Sequence, residues 1–319
     1  MSGISRRRFL AASLAGCAAT TLAAPKKVLA SGTFSGYPES MGVLVDLTRC
    51  IGCRSCEAAC NAEQNLPDPL LPFDDKSVFD QTFHGGTQKR RTDENAYTVV
   101  NRYNPEGGDP VYVKKQCNHC AEPACLSSCF VNAYTKTPEG AVIFNKKVCV
   151  GCRTCMVACP FTIPAYSFSS AFDPLIKKCI FCHETRLKNG KPPACVDICP
   201  QEALTFGKRK DLLKIGNQRI QTHQGRYLDH IYGENELGGT SWMYLSPVPF
   251  EQVGFDPNPG NEPIISHVKD FLSTVPMVLA IWPALFVGFQ LLAKKQAGHG
   301  DHDHDHDSEK QHDEEGAEQ

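Results

Sequence analysis

The chain has no surplus of positive charge. Its 33 Lys and Arg stand against 35 Asp and Glu, a formal net charge of −2, whereas a nucleic-acid-binding domain carries a basic excess. Its composition, 41% apolar and 21% charged, is too apolar for a disordered chain and too polar for a polytopic membrane protein. Catalytic signatures are absent too. There is no nucleophile triad, no zinc-protease motif and no carboxylate pair in a supporting context. The Gly238-Gly239 pair is not followed by the Lys-Ser/Thr of a phosphate loop. Nothing points to a substrate site of the chain's own. What the chain has in quantity is cysteine, 17 in 319 residues, and sixteen of them fall between Cys50 and Cys199.

The first thirty residues do not read as fold. Ser5-Arg6-Arg7-Arg8-Phe9-Leu10 precedes an Ala-rich apolar stretch to Ala24, and Val28-Leu29-Ala30 offers small residues for cleavage before Ser31. This pattern resembles a twin-arginine (Tat) export signal; a basic N-terminal helix is the plainer alternative. Leu14-Ala15-Gly16-Cys17 also resembles a lipoprotein box. Either way, Cys17 stands apart from the other sixteen. The Tat route carries folded, cofactor-loaded cargo, so the resemblance implies a cofactor inserted before export.

Phe271 to Ala293 is a second special segment, free of formal charge. At about 1.5 Å per residue it reaches about 34 Å, enough for a hydrocarbon core of about 30 Å. It lacks the polar face of a soluble core helix. Lys294 and Lys295 follow at once, as expected on the cytoplasmic side, which puts the preceding domain outside. The tail beyond, with Asp301-His302-Asp303-His304-Asp305-His306-Asp307, reads as solvated and disordered, with metal binding as the alternative.

The sixteen cysteines form four groups: Cys50, Cys53, Cys56, Cys60; Cys117, Cys120, Cys125, Cys129; Cys149, Cys152, Cys155, Cys159; and Cys179, Cys182, Cys195, Cys199. Groups one and three share C-x2-C-x2-C-x3-C. Groups two and four share C-x2-C, a loop of four or twelve residues, then Pro-Ala-C-x3-C. The chain thus reads as an internal repeat of a two-motif unit. A [4Fe–4S] cube needs one thiolate on each iron. C-x2-C-x2-C wraps three corners, and the fourth cysteine, on the following helix, points to the partner cube. Disulfides suit an exported protein and zinc uses C-x2-C pairs, but a third cysteine two residues on favours the cube. Sixteen thiolates suffice for four [4Fe–4S] clusters, and no group lacks a cysteine.

Crossed ligation of groups two and three gives Cys117, Cys120, Cys125 with Cys159, and Cys149, Cys152, Cys155 with Cys129. The outer groups then give Cys50, Cys53, Cys56 with Cys199, and Cys179, Cys182, Cys195 with Cys60. Pairing one with two and three with four fits the loop lengths as well. Arg49, Lys114-Lys115, Lys146-Lys147 and Lys177-Lys178 precede the groups. Positive charge there would favour a reduced cluster, though solvated surface residues are the simpler reading. His119 and His183 read as neighbours of ligands or surface residues, because sulfur supplies every corner.

Elsewhere, Tyr97 to Tyr103 and Val111 to Lys115 flank the turn-rich Asn104 to Pro110 and read as a hairpin. Thr135 to Thr137 and Ala141 to Phe144, around Pro138-Glu139-Gly140, read as a shorter one. Leu204 to Phe206 is a candidate strand. Gly238 to Leu245 reads as a Gly-rich turn entering a strand.

With these residues in place, the chain from about Met41 to Ala293 resembles the four-cluster ferredoxin subunits of modular membrane oxidoreductases. These include the β-subunits of periplasmic formate dehydrogenases and the iron–sulfur subunit of hydrogenase-2-type uptake hydrogenases. The likeness lies in Gly42-Val-Leu-Val-Asp46, the four motifs, Tyr232-Gly233-Glu234, Gly238-Gly239-Thr240 and the C-terminal anchor. It implies an α+β fold of two bacterial-ferredoxin-like units with loop and hairpin insertions, plus one transmembrane helix. The expected divisions are signal 1–30, four-cluster domain 31–206, periplasmic extension 207–268, anchor 269–295 and tail 296–319. The resemblance implies the first pairing: Cys50, Cys53, Cys56, Cys199; Cys60, Cys179, Cys182, Cys195; Cys117, Cys120, Cys125, Cys159; Cys129, Cys149, Cys152, Cys155. It also implies a non-catalytic wire between a catalytic periplasmic subunit and a quinone-reactive membrane subunit. A twin-arginine signal of the chain's own favours the hydrogenase branch. Formate dehydrogenase and cytochrome c-linked complexes are the alternatives, and a disulfide- or zinc-stabilised structural protein is the distant one.

Overall fold

The computed structural model describes residues 37, 39–81, 89–168 and 175–297. The export signal, Cys17 and the tail from 298 lie outside the described residues. Two compact units divide at Pro263.

In the first unit, β1 (Met41–Asp46) is the middle strand of a three-stranded sheet. It runs antiparallel to β8 (Leu204–Lys208) and parallel to β9 (Trp242–Leu245). Side chains alternate across a strand, and both faces are covered here. Val43, Val45, Trp242 and Tyr244 face the core that holds the cysteine loops. Leu44, Met243 and Leu245 face α5 (Arg209–Thr222). That helix buries Leu212, Gly216 and Ile220, four residues apart on one face. A Cβ on Gly216 would come within 2.7 Å of the Ile231 Cδ1, so a larger residue there displaces that side chain. No apolar period marks α5 in the sequence, because one of its three buried positions has no side chain.

Three hairpins carry the remainder. β2 (Val99–Tyr103) pairs with β3 (Val111–Lys115), and β4 (Tyr134–Lys136) with β5 (Val142–Phe144). Both were expected from their turn residues, within two residues at the ends. β6 (Ala165–Ser167) pairs with β7 (Leu175–Lys177), a ribbon too short and weakly patterned to be legible. The Gly-rich turn does lead into a strand, β9. Four helices start within the cysteine groups: α1 (Ser55–Gln64), α2 (Ala124–Ser127), α3 (Thr154–Ala158) and α4 (Ala194–Asp197). The expectation that the fourth cysteine sits on the helix holds for Cys60 alone. Cys159 is the residue that ends α3, and Cys129 and Cys199 lie just past α2 and α4, because these helices are a single turn long.

The second unit contains α6 (Ile264–Ala297), a 34-residue helix with Pro276 and Pro283 inside it. Its Thr274–Leu291 window has mean hydropathy 1.7, with none of it buried. By length and composition it can cross a membrane.

Leu44 is fully buried. Leu44→Ala is expected to cost about 2–5 kcal/mol, seen as a lower thermal midpoint by circular dichroism. Val157→Ala, at an 89% exposed position, is expected to stay within about 0.5 kcal/mol of the parent.

Candidate iron–sulfur centres

The loops of groups one and three are built alike. β1 ends at Asp46, whose carboxylate accepts from the Thr48 N–H at 3.1 Å and the Thr48 hydroxyl at 2.7 Å, turning the chain toward Cys50. Gly52 and Arg54 then take φ of 66° and 65°, and Gly151 and Arg153 take 68° and 63°. This left-handed conformation suits glycine and is uncommon for arginine. It aims amide hydrogens at sulfur: the Gly151 N–H donates to Cys149 Sγ at 3.4 Å. In groups two and four, Pro123 and Pro193 precede the one-turn helices. Asn132, Thr162 and Glu202, each three residues past a fourth cysteine, share φ near 50° and donate back to that cysteine's carbonyl at 3.0, 3.0 and 3.2 Å.

All sixteen cysteines are free thiols. Cys50, Cys53, Cys56 and Cys199 line one cavity, with Lys114 and aliphatic side chains between them. Helix α1 packs on α4, and α2 on α3, so groups one and four meet, as do groups two and three. The charge of Cys60 is felt with those of Cys179, Cys195 and Cys182. Cys120 interacts with Cys117, Cys159 and Cys125, and Cys155 with Cys149, Cys152 and Cys129. Burial pushes the Cys50 and Cys182 thiols up to about 11 and those of Cys125 and Cys179 to about 12. Exposed Cys152 differs: the Thr154 hydroxyl, 3.3 Å from its sulfur, pulls it down.

The basic residues divide. Lys146 and Lys147 are exposed, as the simpler reading expects. Lys114 and Lys178 are only 2% and 3% exposed, which corrects that reading for both. Lys114 donates to Thr98 Oγ1 at 2.7 Å and Gln116 Oε1 at 2.9 Å, with its ammonium 4.6 Å from the Trp242 ring centroid. Lys178 donates to the Val142 and Cys179 carbonyls and lies 3.6 Å from Cys117 Sγ. Burial pulls both ammonium groups down, but the surrounding thiolates push further up, and the net direction is upward.

His119 is fully buried, not a surface residue. Its Nδ1 accepts from the Val142 N–H at 2.9 Å, which leaves the hydrogen on Nε2, 3.5 Å from Cys179 Sγ. Burial holds this imidazole well below its usual range, so it is neutral. His183, also buried, reaches Glu139 at 3.2 Å and Glu184 at 3.0 Å.

These residues fit [4Fe–4S] clusters better than single metal ions. Among the described residues no three His, Cys, Asp or Glu side chains gather closely enough to hold one ion, whereas zinc needs all its sulfurs at about 2.3 Å. The buried Tyr134 hydroxyl finds no nitrogen or oxygen partner and sits against the Cys155 sulfur, in the charge field of Cys125 and Cys117. A buried hydroxyl facing only sulfur suits a neighbouring cluster. Tyr134, Gln116, Thr98 and Trp242 carried no motif; they are legible only once the chain is folded.

Residues 109–209 match the family described as a 4Fe-4S dicluster domain. A protein of Nitratidesulfovibrio vulgaris (strain Hildenborough) is 53% identical over 92% of this chain and 78% of its own length. The hydrogenase-2 operon protein HybA of Escherichia coli O157:H7 is 32% identical, over 78% of this chain and 83% of its own. The iron–sulfur subunit of nitrate-inducible formate dehydrogenase of Escherichia coli K12 is 29% identical, over 79% and 84%. The cofactors are [4Fe–4S] clusters, and the chain belongs to the family of ferredoxin-type iron–sulfur electron-transfer subunits that includes HybA.

Proposed function

We propose that this subunit faces the periplasm and links a catalytic subunit of the [NiFe] hydrogenase class to a quinone-reactive membrane subunit, without a substrate site of its own. The observation that carries this reading is the grouping of the cysteines, all but Cys152 buried or half-buried, into four neighbourhoods. The proposed ligand sets are Cys50, Cys53, Cys56, Cys199 (first); Cys60, Cys179, Cys182, Cys195 (second); Cys117, Cys120, Cys125, Cys159 (third); and Cys129, Cys149, Cys152, Cys155 (fourth). The shared cavity of the first set and the mutual charge coupling within the other three support this division. Bound there, the clusters supply one-electron carriers. The chain's own groups hold the thiolates, donate to their sulfurs and keep water away from them.

The hydrogenase branch is supported by the HybA relationship and by a twin-arginine signal at the chain's own N-terminus. The formate dehydrogenase branch is the second reading, favoured by a similarly long match to that enzyme's iron–sulfur subunit. Export by the Tat translocase, a cytoplasmic tail after Lys294-Lys295 and anchoring by α6 complete the proposal. A gene for a [NiFe] hydrogenase pair beside this one supports the first branch; a molybdopterin subunit supports the second.

Anaerobically purified protein is expected to contain about sixteen irons and as many acid-labile sulfides per chain; zinc in their place refutes the cluster reading. Cys60→Ser should alter the EPR signal of the cluster held by Cys179, Cys182 and Cys195. Loss of the Cys50 cluster alone sinks the crossed pairing. Deleting residues 271–293 should move the protein from the membrane to the soluble fraction on cell fractionation, and retention in the membrane argues against α6 as the anchor.

A further inference from the structure

Two ammonium groups lie inside the protein among the cysteines. Among the described residues, neither Lys114 nor Lys178 has an Asp or Glu within salt-bridge distance. Their hydrogen-bond partners are neutral oxygens and one sulfur. An isolated buried cation is costly unless a negative group compensates it. Cysteine sulfurs are the groups whose negative charge acts on both lysines, and Lys178 Nζ lies 3.6 Å from Cys117 Sγ.

The two lysines sit at successive junctions. Lys114 lines the cavity of Cys50, Cys53, Cys56 and Cys199. Its charge is also felt with those of Cys195, Cys179 and Cys60, so it lies between the first and second ligand sets. Lys178 is coupled to Cys117 and Cys125 of the third set and to Cys179 of the second. The second set therefore feels both. At the junction of the third and fourth sets, the buried group is the Tyr134 hydroxyl, which is neutral. Around Cys155 the charged neighbours are other cysteines.

We propose that Lys114 and Lys178 are positioning charges shared between adjacent clusters. Lys114 raises the reduction potentials of the first and second, Lys178 raises those of the second and third, and the fourth has neither. The physical reason is direct. A cluster with four thiolates is more negative when reduced, so a fixed cation in a desolvated site stabilises the reduced form more. The inference rests on the ligand sets of the preceding section.

The test is an EPR-monitored redox titration of the anaerobically purified full chain, with iron measured on the same samples. In Lys114→Met, two of the four transitions should fall, with the reduced-to-oxidised ratio at fixed potential down at least about tenfold, or about 59 mV for a one-electron couple. Lys178→Met should lower two transitions, one of them shared with the first variant. The double variant should move that shared transition by the product of the two factors. Lys114→Arg, which keeps the charge, should leave all four in place. Lys114→Gln, which retains a polar head for Thr98 and Gln116, takes the place of Lys114→Met if that variant does not load. Unmoved potentials in fully loaded variants, or a uniform shift of all four, overturn the lysine assignment alone. If the neutral variants and Lys114→Arg all fail to load, shape rather than charge is what Lys114 supplies, and the proposal falls. Iron short of four clusters in the parent overturns the ligand sets, and this proposal with them.

Discussion

A thiolate cannot stay charged in an apolar interior without help, and this protein keeps most of its cysteines half-buried or buried. Burial, the largest influence, helps push the Cys50 thiol up to about 11 and that of Cys179 to about 12, far from thiolate at neutral pH. Iron is the main remedy, since coordination displaces the proton outright. Everything local to the sulfurs works the same way. Left-handed turns at Gly52 and Gly151 point amides at them. His119 offers a neutral N–H to Cys179. Two ammonium groups replace what would otherwise be solvent.

One apolar cluster lies clear of the cysteines. The β8-β1-β9 sheet and α5 bury Leu44, Leu212, Ile231, Met243 and Leu245 without any cysteine. The other face of the same strands presents Val43, Val45, Trp242 and Tyr244 toward the cysteine loops. Tyr244 accepts from Gln116 at 2.8 Å, and Gln116 in turn accepts from Lys114. A residue far along the chain thus fixes the lysine beside the first two ligand sets. Gly233 lets the chain pass close to the start of β9: a Cβ there would meet Thr240 Oγ1 at 2.5 Å and the Trp242 carbonyl at 2.7 Å. The segment after the last cysteine therefore supports the site, although it contributes no ligand.

Legibility followed how local each signal is. Cysteine spacing is dictated by the geometry of a cube, so the ligands stand out in the linear chain. The two longer hairpins announce themselves through Asn104 to Pro110 and Pro138 to Gly140, where turn chemistry is local. Helix α5 did not, because its buried face runs through Gly216. Lysine burial did not either. β3 reads Val111-Tyr112-Val113-Lys114-Lys115, and alternation sends Val111 and Val113 inward and Lys114 outward. In the fold Val113 and Lys114 are both buried, because the sulfurs and Trp242 surround the far face of this ribbon as well. That is a property of what packs there, and no window of the chain contains it.

The same contrast separates the ends of the proposed wire from its middle. Ile51 and Val150 occupy the same place in groups one and three, directly after the first cysteine, and both are more than half exposed. Each belongs to an outer ligand set, the first or the fourth, and the fourth also has the exposed Cys152. Between them, the second and third sets are flanked by His119, Lys178 and Phe181, all buried, with His119 stacked on Phe181 at 4.8 Å. An apolar side chain on a surface loop is costly to leave in water, whereas water kept from the inner sets preserves the strength of the charges there. A relay needs both arrangements: ends that another protein can approach closely, and a middle where the electrostatic field is set by fixed groups instead of by solvent.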